Sequence, residues 1–172
     1  MKKIAFIIAF KDFNDEEYLI PKQILESAGF EIITVSNNLG EAIGSEGAEA
    51  IVNVLIKDLK VKNFIAIVFI GGSGALKYFD DSNVHHIALE AISEKKLLAA
   101  ICIAPIILAK AGILNGKNAT VWSSNLDKSF INILKKEGAN YIAKPIVIDN
   151  NIITASGPES AKAFAIKILD RL

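Results

Sequence analysis

The chain is poor in the residues on which hydrolases and metal sites most often rely. Its 172 residues hold one cysteine, Cys102, and two histidines, the adjacent His85 and His86. One cysteine cannot close an internal disulfide, which points to a reducing compartment. One Cys and two neighbouring His give no ligand spacing suited to zinc, and the acidic residues do not follow the order of a calcium loop. Neither sign of charge is in excess: 19 Lys and Arg balance 19 Asp and Glu. That balance gives no support to a nucleic-acid or anionic-membrane partner. It does ease self-association. Long hydrophobic runs are missing too, and no stretch suffices to span a bilayer. The opening MKKIAFIIAF is basic and then apolar, but Lys11 and Asp12 cut it short and no small-residue cleavage site follows. It reads as a first strand and not as a signal peptide. These absences lead us to expect a soluble cytoplasmic protein with no metal and no cofactor.

What is present is a series of short apolar runs alternating with helical patterns. The composition is 52% hydrophobic, which suits a sheet covered on both faces. Strands are expected at Lys3 to Phe10, Phe30 to Val35, Phe64 to Ile70, Leu97 to Ile101 and Asn118 to Trp122. Ile146 to Ile148 and Ile152 to Thr154 flank a turn at Asp149-Asn150-Asn151 and predict a hairpin. Helices are expected from Asn14 or Asp15, either of which can cap, to Gly29. Others run from a cap among Asp80, Asp81 and Ser82 to about Ser93, then Leu126 to Glu137, and Glu159 to Leu172. Lys11 to Asp15 reads as a loop. Asn37 to Leu59 is broken by Gly40, Gly44 and Gly47, and Ala50 to Ile56 fits a strand in a small hairpin. No repeat or linker divides the chain, so residues 1–172 read as one α/β domain: a mainly parallel sheet with helices on both faces. Ligands in such sheets sit outside the carboxyl ends of the strands. Three ends are then expected to meet there: the one leading to Glu17, the one at Gly71-Gly72, and the one at Cys102.

The pattern centres on LLAAICIAPIILAK, residues 97–110. A buried-strand run ends at Cys102, and Pro105 suits the first turn of a helix beginning near Ala104. A thiol at such an elbow lies near a helix end with partial positive charge and unpaired N–H groups, and its pKa is expected to fall. The competing reading is a buried structural cysteine, since free Cys packs as a small hydrophobe. A nucleophile usually has a proton acceptor beside it. His85 and His86 lie on a helix far from the elbow in sequence, and at most one can face inward. Two solvated histidines is the simpler account, unless a neighbouring subunit brings one to the thiol. Glu17 is the other candidate: placed near a thiolate it would hold its proton, donate to the sulfur, and poise it without imidazole. Alternatively, Glu16 and Glu17 are ordinary first-turn acids. Gly71-Gly72-Ser73-Gly74 can present backbone N–H groups to an oxyanion, or can simply be a tight turn. It matches neither the Walker phosphate loop nor the dinucleotide fingerprint.

Five segments taken together resemble the ThiJ/PfpI superfamily, which includes the Parkinson-disease-associated protein deglycase and the PfpI-type intracellular proteases. They are EEYLIPKQILESAG at 16–29, VFIGGSGA at 68–75, LLAAICIAP at 97–105, AGILNGKNATVWSS at 111–124 and IITASGP at 152–158. The resemblance implies a flavodoxin-like three-layer sandwich with a nucleophile elbow. It implies that Cys102 is the elbow nucleophile and Glu17, four residues before Pro21, its acidic partner. Gly72 and Ile103, with Gly71 beside them, fall where amides form the oxyanion pocket. It also implies homodimers or larger assemblies, and several activities: hydrolase, glyoxalase or deglycase work on small reactive carbonyls, intracellular peptidase activity, chaperoning, and oxidative-stress sensing. The chain departs from the protease-like members in carrying Ile103 where they have His after the Cys. It has Trp122 and Ser123 in the neighbourhood where deglycase-like members carry another His. The late His-x-Glu of glutamine-amidotransferase relatives is absent.

Overall fold

Runs such as Leu97–Ile101, in which every side chain is apolar, can be buried only where both faces of a sheet are covered. The computed structural model, which describes residues 1–172, places them there. In chain order the elements are β1 (Lys3–Ile7), β2 (Lys11–Phe13), α1 (Asp15–Ser27), β3 (Glu31–Ser36), β4 (Gly40–Gly44), β5 (Glu49–Val52), β6 (Val54–Leu55), β7 (Ala66–Phe69), α2 (Ser82–Ser93) and β8 (Leu97–Ile101). Then follow α3 (Pro105–Lys110), β9 (Asn118–Ala119), α4 (Ser129–Lys136), β10 (Asn140–Tyr141), β11 (Ile146–Asp149), β12 (Ile152–Ala155) and α5 (Ala161–Leu169). The central sheet has the order β11-β12-β8-β7-β1-β3-β6. All pairs are parallel except the β11–β12 hairpin. Helices α1 and α5 pack together on the sheet, and α2 packs with α3 against β7 and β8. All residues of β7 and β8 are buried, as a flavodoxin-like α/β sandwich requires.

The strand order fixes where a site can form. From β1 the chain lays β3 and β6 on one side, then crosses back to place β7 and β8 on the other. The connections after β1 and β7 therefore run in opposite directions, leaving a crevice at their carboxyl ends. Residues 71–74 and 11–14 fill part of it, back to back. Asn14 N–H donates to Gly71 O at 3.0 Å. Gly72 sits at φ +100°, and a Cβ there would lie 2.5 Å from Asp12 O. Only glycine meets both conditions.

Tyr18 ties helix α1 to the sheet. Tyr18 packs edge-to-face on Phe6 and Phe13, with centroids 6.1 and 5.2 Å away, and its hydroxyl shares a 2.7 Å hydrogen bond with Thr34 Oγ1. Of the two candidate caps, Asn14 is the one used: its Oδ1 accepts from Glu17 N–H at 3.1 Å. Asp15 does something else. It is buried, and its carboxylate accepts from Glu46 N–H at 3.0 Å and Ala48 N–H at 2.6 Å. It thereby anchors the turn of the β4–β5 hairpin, which forms a small separate sheet with β2.

Several boundaries differ from expectation for identifiable reasons. Lys11–Phe13, expected as loop, is strand β2, because it pairs in parallel with β4. The strand expected at Ala50 to Ile56 is split: Glu49–Val52 forms the hairpin with β4, while Val54–Leu55 leaves it to extend the main sheet beside β3. The strand expected at 118–122 stops at Ala119, in a two-stranded ribbon with β10. Beyond it, Thr120 N–H goes to the Thr154 hydroxyl and Trp122 N–H to Cys102 O, both at 2.9 Å, so no ladder continues. Helix α4 begins at Ser129, three residues after the expected Leu126, and the closing helix begins at Ala161 after a 3₁₀ turn at Pro158–Ser160.

Because Asp15 joins the hairpin to α1 through two charge-assisted bonds, Asp15→Ala is expected to lower stability by about 2 kcal/mol. Amide exchange at Glu46 and Ala48 should speed up selectively in the same variant. Uniform exchange across the chain, or no change in denaturant midpoint, would show that the anchor is unimportant.

Candidate functional site

Cys102 follows β8 directly and stands at φ +64°, a left-handed conformation uncommon outside glycine. It is held there from both sides. Its N–H donates to Ala155 O on β12, and its carbonyl accepts from Trp122 N–H, each at 2.9 Å. Pro105 then opens α3 with Ala104 as its cap, as the sequence predicts. The side chain is 8% exposed. The amides of Gly72 and Ile103 both donate toward the Cys102 sulfur.

Glu17, in the first turn of α1, is fully buried. Its Oε2 accepts from Gly71 N–H at 2.9 Å, while Oε1 has no nitrogen or oxygen partner. The group facing the carboxyl is the Cys102 thiol. Gly71 lies between the two: a Cβ there would be 2.6 Å from both Cys102 Cβ and Glu17 Oε2. The three strand ends expected to converge do so. Gly71 needs a correction, however, because its N–H is taken by Glu17 and is not open to an oxyanion. It positions the acid, leaving Gly72 and Ile103 as the amides at the sulfur.

The histidines are elsewhere. His85 Nε2 bonds the Phe79 carbonyl at 2.7 Å, and His86 lies at the surface 3.9 Å from Glu90. Within one chain neither serves the thiol. Two contributors went unsuggested by the sequence. The Ala155 carbonyl is set by strand register, which no local pattern encodes. Glu159, after the Ser156-Gly157-Pro158 turn, adds a second negative field at Glu17.

The electrostatics follow from burial. Desolvation pushes the Glu17 carboxyl up from 4.5 to about 7; the Cys102 and Gly71 hydrogen bonds oppose that, and Glu159 and Glu16 add to it. The thiol departs from expectation. Burial pushes it up, the Glu17 charge and hydrogen bond push it further, and the Gly72 and Ile103 amides only partly compensate. The lowering expected from a helix end is outweighed, for α3 is six residues long and Cys102 is nearly closed off from water. The pair resists carrying two negative charges. A thiolate is favoured here only while Glu17 keeps its proton.

That coupling bears on stability. The fold prefers the neutral acid, so Glu17's contribution is complete below pH 4.5 and is lost as pH rises through about 7. A shift of that size corresponds to roughly 3 kcal/mol. Glu17→Gln is therefore expected to be more stable than the parent at pH 8 and nearly equal to it at pH 4.5. Thermal melts across that range check this, and a difference independent of pH would contradict the buried-acid account.

With the geometry in hand, similarity to known proteins is informative. The family model described as DJ-1/PfpI family matches residues 2–171. An uncharacterized protein of Methanocaldococcus jannaschii is 38% identical over 168 residues, covering 97% of this chain and 80% of that one. YraA of Bacillus subtilis, whose name assigns it provisionally to the cysteine proteases, is 30% identical over 95% of this chain and 94% of its own. The crystal structure of a ThiJ/PfpI domain protein from Brachyspira murdochii superposes with a TM-score of 0.92 at 31% identity, covering 99% of this chain and 97% of that one. Family model, relatives and fold agree over nearly every residue, and this chain belongs to the DJ-1/PfpI family.

Proposed function

We propose that the chain is a cysteine-dependent enzyme of glyoxalase or deglycase type, acting on small reactive carbonyls. The observation that carries this reading is the Glu17–Cys102 pair: one buried acid, titrating near 7, against one thiol at a strand end. Such an acid can both give and take a proton near neutral pH. The thiol proton passes to Glu17, and the sulfur attacks the aldehyde carbon. The carbonyl π pair moves to oxygen, which is met by the Gly72 and Ile103 amides and then protonated by Glu17. Glu17, now a carboxylate, takes the hydrogen from that carbon as a proton and returns it to the neighbouring carbon, while the hydroxyl proton moves to the neighbouring oxygen, leaving a 2-hydroxy thioester. Water cleaves the thioester to a hydroxy acid and frees the thiol. For methylglyoxal the sum is addition of water to give lactate, with no external oxidant or reductant. Peptide hydrolysis is less well supported. Ile103 stands beside the thiol, and no imidazole is within the chain's reach to protonate a leaving amine.

A second reading has its own support. A lone thiol facing an acid and two amides is suited to form sulfinic acid, whose charge those donors stabilise. Partner binding or chaperoning would then follow oxidation. Under either reading the chain works as a homodimer or larger assembly. Exposed Leu19, Ile43 and Ile51 on α1 and the β4–β5 hairpin support that.

Incubation with methylglyoxal while lactate is measured separates the two. The enzyme reading expects production that falls to background in Cys102→Ala and by about a hundredfold or more in Glu17→Gln. Absence of lactate, together with a stable gain of two oxygens at Cys102 in dilute peroxide, would replace it with the sensor reading.

A further inference from the structure

The residue whose backbone N–H holds the elbow carbonyl is aromatic. Trp122, the single tryptophan of the chain, is tied to the elbow through its N–H on Cys102 O. Its half-buried indole meets Phe130 of α4 edge-to-face, with centroids 6.0 Å apart. Phe130 in turn meets Phe79 in the same manner at 6.0 Å. Phe79 ends the turn that begins at Gly72, whose amide faces the sulfur. The other edge of the indole rests on Gly157, where a Cβ would lie 3.2 Å from Cδ1. Gly157 stands two residues after Ala155, the acceptor of Cys102 N–H. Three segments distant in sequence thus stack their rings in one row, and two of those segments are tied to the elbow, one through the Trp122 N–H and one through the Gly72 amide. Cys102 is 8% exposed, and none of the five main cavities is lined by Cys102 or Glu17.

We infer that the Trp122 indole, braced by Phe130 and Phe79, is a size filter over Cys102. It admits electrophiles as small as a two- or three-carbon aldehyde or hydrogen peroxide and turns away those bearing an aryl or peptidyl group. Edge-to-face packing on both sides of Phe130 restrains the indole from swinging aside, and Gly157 lets it sit closer than any other residue would. Trp122 is a specificity-determining residue in this account. It neither moves a proton nor touches Glu17. The inference rests on Cys102 being the reacting atom of the proposed function, and it narrows the substrate class to the smallest carbonyls.

Alkylation tests it without requiring turnover. Iodoacetamide and iodoacetanilide carry the same reacting carbon, and the second is larger by one phenyl ring. Each forms an S–C bond with loss of iodide, and Cys102 is the only thiol, so intact mass reads the rate directly. In the parent, iodoacetamide is expected to react at least about tenfold faster than the anilide, as for steric discrimination in a closed pocket. In Trp122→Ala the ratio should fall to within about threefold, chiefly by acceleration of the anilide. Trp122→Phe should lie between, and it covers the case in which the alanine variant does not fold. Equal acceleration of both reagents, an unchanged ratio in both variants, or a thiol inert to both reagents without the indole would each overturn the filter. Carbonyl turnover is scored separately, so its absence beside a size-dependent alkylation would reject the enzyme and retain the filter.

Discussion

A single proton shared between Glu17 and Cys102 is the constraint from which the rest of the site follows. Two negative charges this close, this far from water, repel strongly, because low effective dielectric magnifies the interaction. One of the two must stay neutral. At rest it is the thiol: burial and the Glu17 charge push it well above the carboxyl, whose Oε2 is fixed by Gly71 and whose Oε1 is left without a nitrogen or oxygen donor. An acid with every lone pair satisfied would ionise readily, as carboxylates with several N–H donors do. Burial with one unsatisfied oxygen instead holds Glu17 at about 7, basic enough to take the thiol proton and acidic enough to return it.

Holding that geometry needs contributions from most of the fold. Asn14 caps α1 so that Glu17 enters at the right height, and Tyr18 fixes the helix to β1 and β3 through two ring contacts and a hydroxyl. Gly71, Gly72 and Gly74 let the β7 turn lie against the 9–14 segment and the elbow, where any side chain would collide. Cys102 keeps its left-handed backbone because β12 and Trp122 grip it from opposite sides. Strain of this kind persists only when its surroundings over-determine it. Here two hydrogen bonds and a fully buried strand do so.

What could be read from the sequence was whatever is encoded locally. Leu97–Ile101 announces a doubly covered strand by composition, and Pro105 announces the helix after it. Gly29 and Asn14 mark the ends of α1. The meeting of Glu17, Gly72 and Cys102 followed from one topological rule about strand ends, with family resemblance reinforcing it. What escaped depends on contacts between distant segments. Asp15 looks like a cap from its position, but hairpin amides thirty residues away claim its carboxylate. Gly71 looks like an oxyanion donor until Glu17 takes its N–H. Thr120 and Trp122 sit in a strand-like run whose N–H groups are drawn to Thr154 and Cys102. The thiol's acidity differs from expectation for the same reason: a helix end is visible in sequence, while the degree of burial that outweighs it is not.

The lack of imidazole then bears on chemistry as well as identity. A histidine beside the thiol would carry positive charge and stabilise thiolate by attraction. A neutral carboxyl stabilises it only by hydrogen bonding, and loses that ability as soon as it ionises. The pair therefore starts from an ionised acid and a protonated thiol, and its capacity to take up the thiol proton declines as pH falls through about 7. A site governed in this way has little capacity to expel a poor leaving group such as an amine, which must be protonated as it departs. It is well matched to additions and proton shifts within one small molecule, where the same proton is lent and recovered.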